Sequence, residues 1–269
     1  MLRAALLYAL ATLAVVSPAW ANDRWDLGTL NNDDGPVNNP NELVHGDHQI
    51  HDLQATGSPA DEDWLQIRVR SRHSYEARVS GISGVFWSTI DGPVCLAGAC
   101  ARLDRVDAGG TVLQAAAMLE GSSRAAGVRW VAVATGGEYL RVTGPAGTAL
   151  GSSDQYEVEF FDTTYAVPRF NNSSSQTTVL VIQNLRATSV AGNIDFYDAG
   201  GVLVHAEPLV LNAGATVVLN TAALPGAAGQ SGSVLIAQTG GWGALAGKAV
   251  ALEPATGFTF DTPLEPVPR

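Results

Sequence analysis

Apolar side chains along this chain recur at every second position over short stretches, and almost nowhere at helical spacing. Leu65, Ile67 and Val69 alternate with polar residues. After Arg70-Ser71-Arg72-His73-Ser74 the alternation resumes with Tyr75, Ala77 and Val79. Neighbouring side chains of a strand point to opposite faces, so the pattern predicts two half-buried strands joined by a loop. Further strands are predicted at Thr111–Leu113, Val128–Val133, Tyr139–Val142 and Tyr156–Phe160. A second series starts at Thr178-Val179-Leu180-Val181-Ile182, apolar on both faces and therefore expected in the middle of a sheet. Ile194–Tyr197 and Val202–Val204 flank Asp198-Ala199-Gly200-Gly201, a hairpin signal. Leu209–Leu211, Thr216–Leu219, Val234–Ile236, Ala249–Leu252 and Phe258–Phe260 continue the series. Only Ala115–Leu119 and Thr221–Leu224 suggest a turn or so of helix. Many short strands with Gly-rich turns predict an all-β protein of two β-sandwiches.

The first 21 residues depart from this pattern. Arg3, the apolar run Ala4–Val16 and the small-x-small site Ala19-Trp20-Ala21 read as a secretory signal peptide, too short to span a bilayer. Residues 22–37 are a polar lead-in rich in Asn, Asp, Gly and Pro. What remains suits two domains, 38–163 and 164–263, with a tail at 264–269. The character of the chain shifts around Thr163 to Asn172, where Asp162–Tyr165 leads through Pro168-Arg169-Phe170 to a polar Asn and Ser stretch.

Charge narrows the partners. The formal net charge is −11, and loss of the leader removes only Arg3. An acidic surface repels nucleic acid and anionic lipid, so neither is expected as a partner, and no membrane insertion is expected. The two cysteines, Cys95 and Cys100, enclose four residues. In an exported chain a local disulfide is the default, whereas two thiols without further ligands make a poor zinc site.

The first half resembles the bacterial pre-peptidase C-terminal domain. The residues that carry the likeness are Asn39-Pro40-Asn41-Glu42, Asp61-Glu62-Asp63-Trp64, and Gly137-Glu138-Tyr139-Leu140-Arg141-Val142 with Tyr156-Glu157-Val158. That resemblance implies a jelly-roll-like sandwich in an exported protein. It also implies calcium as a cofactor, held by Asn39, Asn41, Glu42, Asp61 and Asp63, since calcium takes six to eight oxygen ligands. The alternative is that Asp61–Asp63 is a solvated turn and Asn41 a cap. The second half is similar to an Ig-like sandwich found behind such domains in exported bacterial proteins. The pieces are Pro168-Arg169-Phe170-Asn171-Asn172, Leu211–Thr216 and Gly247–Pro254.

Other candidates are scattered. His45, His48 and His51 lie close in sequence, but strand geometry sends His48 to the face opposite the other two. No Gly-x-Ser-x-Gly, His-Glu-x-x-His, phosphate loop or dinucleotide fingerprint is present. Trp87 and Trp242, beside the cysteine loop and in a Gly-rich turn, are candidates for stacking on a ligand, against the simpler reading that they pack in turns. The sequence therefore points to a secreted or periplasmic, non-catalytic binding module for a surface polymer, matrix component or secreted protein. A hydrolase assembled from scattered carboxylates with His45, His48 and His51 is one alternative. A structural module without a ligand is another.

Overall fold

A computed structural model describes residues 35–36, 41–53, 62–82, 102–119, 125–144 and 153–267. The leader, Asn39, Asp61, Trp87, Cys95 and Cys100 lie outside the described residues.

The chain is all-β, as the alternation predicts. In its first half run β1 (Glu42–Leu43), β2 (His48–Asp52), β3 (Glu62–Val69), β4 (Ser74–Gly81) and β5 (Arg102–Val106). They are followed by β6 (Val112–Ala115), β7 (Ala117–Met118), β8 (Ala125–Val131), β9 (Gly136–Thr143) and β10 (Gln155–Asp162). Two sheets, ordered β1-β3-β9-β5-β6 and β2-β10-β4-β8-β7, close on one core. Leu65, Ile67 and Val69 enter that core from one sheet, and Tyr75, Ala77 and Val79 from the other. The opening pair of strands therefore faces across the sandwich and is not a hairpin. The connecting turn passes through Arg72 at φ 67°, held by Arg72 N–H donating to the Ala132 carbonyl at 2.7 Å.

The second half comprises β11 (Tyr165–Asn171), β12 (Thr177–Asn184), β13 (Val190–Asp198), β14 (Leu203–Leu211) and β15 (Thr216–Asn220). Then come β16 (Ser231–Gln238), β17 (Leu245–Glu253), β18 (Phe258–Pro263) and β19 (Glu265–Pro266). Its sheets run β14-β13-β16-β11-β19 and β15-β12-β17-β18 around a separate core. β12 is interior to its sheet, as its apolar run suggests, although Val179 and Val181 turn to the outer face and stay partly exposed. Pro208 is tolerated because β14 is an edge strand, where no ladder donor is needed.

The two helical expectations resolve differently. Ala115 ends β6 and Ala117–Met118 form β7 in place of a helical turn, with Ala116 N–H between them donating to the Leu103 carbonyl at 2.9 Å. Thr221–Ala223 is a single 3-10 turn, with the Asn220 side chain accepting from Ala222 N–H. The Asp198 turn forms the expected hairpin, and the same Asp-Ala-Gly-Gly tetrad closes β5 on β6 at Asp107. In both, Asp Oδ1 accepts the N–H groups two and four residues on, and the second glycine (Gly110 or Gly201) takes φ near +80°. A side chain in that left-handed conformation would be strained.

Candidate functional site

The halves meet at Thr163–Thr164, and two sequence candidates, His45 and Trp242, come together there. Glu76 is fully buried on β4. Its carboxylate accepts from Arg129 Nε at 2.7 Å, Arg78 Nη2 at 2.5 Å and the Trp242 backbone N–H at 2.9 Å. Burial pushes the Glu76 carboxyl up, but these donors outweigh it and hold the group below its ordinary value. Gly241, at φ 83°, makes the approach possible: a Cβ there would lie 2.6 Å from Glu76 Oε1. The Trp242 ring packs on His45 (5.1 Å between centroids) and Phe161 (5.7 Å), so this tryptophan is partly buried in the junction. Arg72 adds a two-point ion pair to Asp195, which is buried in the second sandwich.

His45, His48 and His51 go to three different places. His45 Nδ1 accepts the Asp162 N–H at 2.8 Å, which requires its Nε2–H to donate to the Val267 carbonyl at 3.1 Å. His48 is exposed and donates to Glu157 at 2.8 Å. His51 is buried, stacked on Tyr156 at 5.6 Å, with Nε2 3.0 Å from Gln49 Oε1 and Nδ1 3.8 Å from Asp63. A shared acid–base site needs groups within hydrogen-bond reach of one reacting atom, and these three do not converge.

The residues implied for calcium are likewise divided. β1 lies parallel to β3, and Gln66 N–H donates to the Asn41 carbonyl at 2.7 Å. Asn41 and Asp63 face inward and are fully buried, and Asp63 accepts the Tyr156 hydroxyl. Glu42 faces outward, held by Arg68 Nε at 2.6 Å. The described residues thus offer one inward carboxylate and one amide, with Glu42 on the far side of the sheet. Asn39 and Asp61, the other two residues of the implied group, lie outside the described residues. Among the described residues no cluster of three His, Cys, Asp or Glu suits a metal ion.

Among the hollows of the described residues, two differ sharply in their linings. One, about 510 Å³, lies at the end of the first sandwich beside His45, Tyr75 and Asp162. Two of its polar lining groups, Asp162 and Tyr75, are already paired. His73 Nδ1–H donates to Asp162 at 2.9 Å, and Tyr75 Oη accepts the Arg70 N–H at 2.7 Å. Burial pushes the Tyr75 hydroxyl up to about 12. Burial likewise raises the Asp162 carboxyl, but His73 and Thr164 outweigh it and keep the group below its usual value.

The other hollow, about 200 Å³, opens at the side of the second sandwich. Register places Phe260 beside Ala251 and Phe258 beside Glu253, so both rings stand on the face that β12 turns inward through Thr178 and Leu180. After β18 the chain crosses at buried Leu264 to the other sheet, where β19 pairs Tyr165 and Ala166. Arg169 and Gln176 line the same hollow as Phe258 and Phe260, which remain 69% and 51% exposed. Glu253 Oε1 is buried in this wall without a hydrogen-bond partner among the described residues. No carboxylate pairs with Arg169 among the described residues. Sequence reading identified Phe258–Phe260 as a strand but not as a site. The alternation marks one face of β18 and cannot tell that the opposite sheet stops short of it.

No family model and no curated protein matches the chain. Among solved structures, the chain is similar to the pre-peptidase C-terminal domain of a collagenase from Bacillus anthracis. That likeness has 16% identity and a TM-score of 0.30, over 45% of this chain and 92% of the other. A β-glucuronidase of Bacteroides uniformis aligns at 11% identity and a TM-score of 0.21, over 84% of this chain and 31% of that one. A putative β-galactosidase from Bacteroides fragilis aligns at 11% identity and a TM-score of 0.20, over 81% and 34%. The chain thus spans about a third of the length of the two glycosidases. These are likenesses of fold alone. Among the described residues no helix is long and apolar enough to cross a membrane.

Proposed function

We propose that this chain is an exported, non-catalytic binding module for a polymer or protein outside the cytoplasm, built from a pre-peptidase C-terminal-like sandwich and an Ig-like one. The observation that carries the reading is the lateral groove of the second sandwich, where two phenylalanines lie exposed beside a buried carboxylate oxygen, Glu253 Oε1, that has no hydrogen-bond partner among the described residues. Exposed aromatic rings with a few convergent polar groups are the usual make-up of a ligand site. The separation of His45, His48 and His51 supports a role without catalysis.

The test is biolayer interferometry of the full chain against immobilised polysaccharides, cell-wall polymers and matrix proteins. Binding to at least one surface is expected, and the double variant Phe258→Ala/Phe260→Ala weakens it at least tenfold with an unchanged melting temperature. Binding that survives the double variant, or no binding to any surface, overturns the reading and favours a structural module.

A further inference from the structure

From the chemistry of the groove we infer that it takes a neutral pyranose ring of a glycan, an assignment that rests on the binding-module reading above. The floor is apolar: Ala251 is small enough to leave the hollow, and Phe258 and Phe260 form its outer side. Successive same-face positions on a strand lie about 7 Å apart, so the two rings offer two adjacent flat platforms.

The walls decide between ligand classes. Glu253 Oε1 can only accept, and the Arg169 guanidinium can only donate. Gln176 adds a further donor, because its carbonyl is already taken by Asn171 Nδ2–H. An apolar peptide side chain in the hollow would leave Glu253 buried without a donor. A cationic group would satisfy Glu253 but face Arg169, and an anionic group would do the reverse. A sugar ring suits all the walls together. Its hydroxyls donate to the carboxylate and accept from the guanidinium and amide, while its C–H face lies on a phenylalanine. The hollow has room for a single ring, and its open side lets a chain run on along β18.

The competing occupant is a peptide strand added to the free edge of β18. Pro263 near the end of that edge, and Asp261 tied to Lys248 at 2.6 Å, guard it against such pairing.

The experiment is isothermal titration calorimetry on the full chain. The probes are cellohexaose, xylohexaose, mannohexaose and chitohexaose, with hexagalacturonate and gelatin as comparison ligands. At least one neutral hexasaccharide is expected to bind. Glu253→Gln and Arg169→Ala each weaken it at least fivefold, and Phe260→Ala at least tenfold, with melting temperatures unchanged. The inference is overturned if no neutral hexasaccharide binds, or if Glu253→Gln and Arg169→Ala both bind like the wild type. If gelatin or hexagalacturonate alone binds and Phe258→Ala/Phe260→Ala removes that binding, the neutral-sugar assignment fails while the binding-module reading stands. If every ligand is indifferent to the groove variants, both fail.

Discussion

Glu76 shows how a single side chain ties a strand of one sandwich to a loop of the other. Its carboxylate has three donors, two of them partly buried guanidiniums. Glu76→Ala leaves Arg78 and Arg129 facing each other without an anion, and is expected to cost roughly 3–5 kcal/mol. Chemical denaturation with urea measures it directly. Gly241→Ala perturbs the same contact from the other side, through both φ and the 2.6 Å approach. A loss of about 1–3 kcal/mol is expected, and only the part due to Glu76 should vanish in the Glu76→Ala background, because the positive φ and the Arg129 Nε approach at 2.7 Å remain. At the other end of the first sandwich, Tyr156→Phe removes the hydroxyl that donates to buried Asp63. Hydrogen bonds to a charged group contribute about 1.5–3 kcal/mol, so a drop of that order is expected in the same assay.

At the scale of elements, the Asp198-Ala199-Gly200-Gly201 turn was the most legible feature of the chain, and the same tetrad at Asp107 went unread. Asp accepts from two backbone N–H groups, and glycine supplies the positive φ; both requirements are local and need no partner strand. Asp198→Ala is expected to cost about 1–2 kcal/mol, whereas Asp198→Asn, which keeps the accepting oxygen, costs less than half as much. Equal losses for the two variants in thermal unfolding would contradict this account. The strands themselves were visible from alternation, but their pairing was not. β3 and β4 are consecutive and similar in pattern, yet they lie in opposite sheets. Alternation specifies which face is buried, and is silent about whether the next strand turns back beside the last or crosses over it.

Across the whole molecule, the junction should make stability sensitive to acid. Glu76 and Asp162 have ordinary values of 4.5 and 3.8, and both are held lower in the folded chain. A depressed carboxyl contributes stability that is complete above its unfolded value and is lost as pH falls through the folded value. The melting temperature is therefore expected to be flat from about pH 7 to pH 5 and to fall steeply below about pH 4. Glu76→Gln should melt lower at pH 7 and show a shallower acid slope. A slope equal to that of the wild type would show that Glu76 does not carry the effect.

The sequence by itself determined the all-β character, the inward set Leu65, Ile67, Val69, Tyr75, Ala77 and Val79, and the turns, because periodicity and turn chemistry are local. Tertiary structure alone decided that Glu42 faces away from Asn41 and Asp63, that His45 and Trp242 share a junction, and that Phe258 and Phe260 lie open beside Arg169 and Glu253. The reason is the same in each case. Strand geometry assigns a side chain to one of two faces, but whether that face meets a sheet, a neighbouring domain or solvent depends on segments far away in the chain.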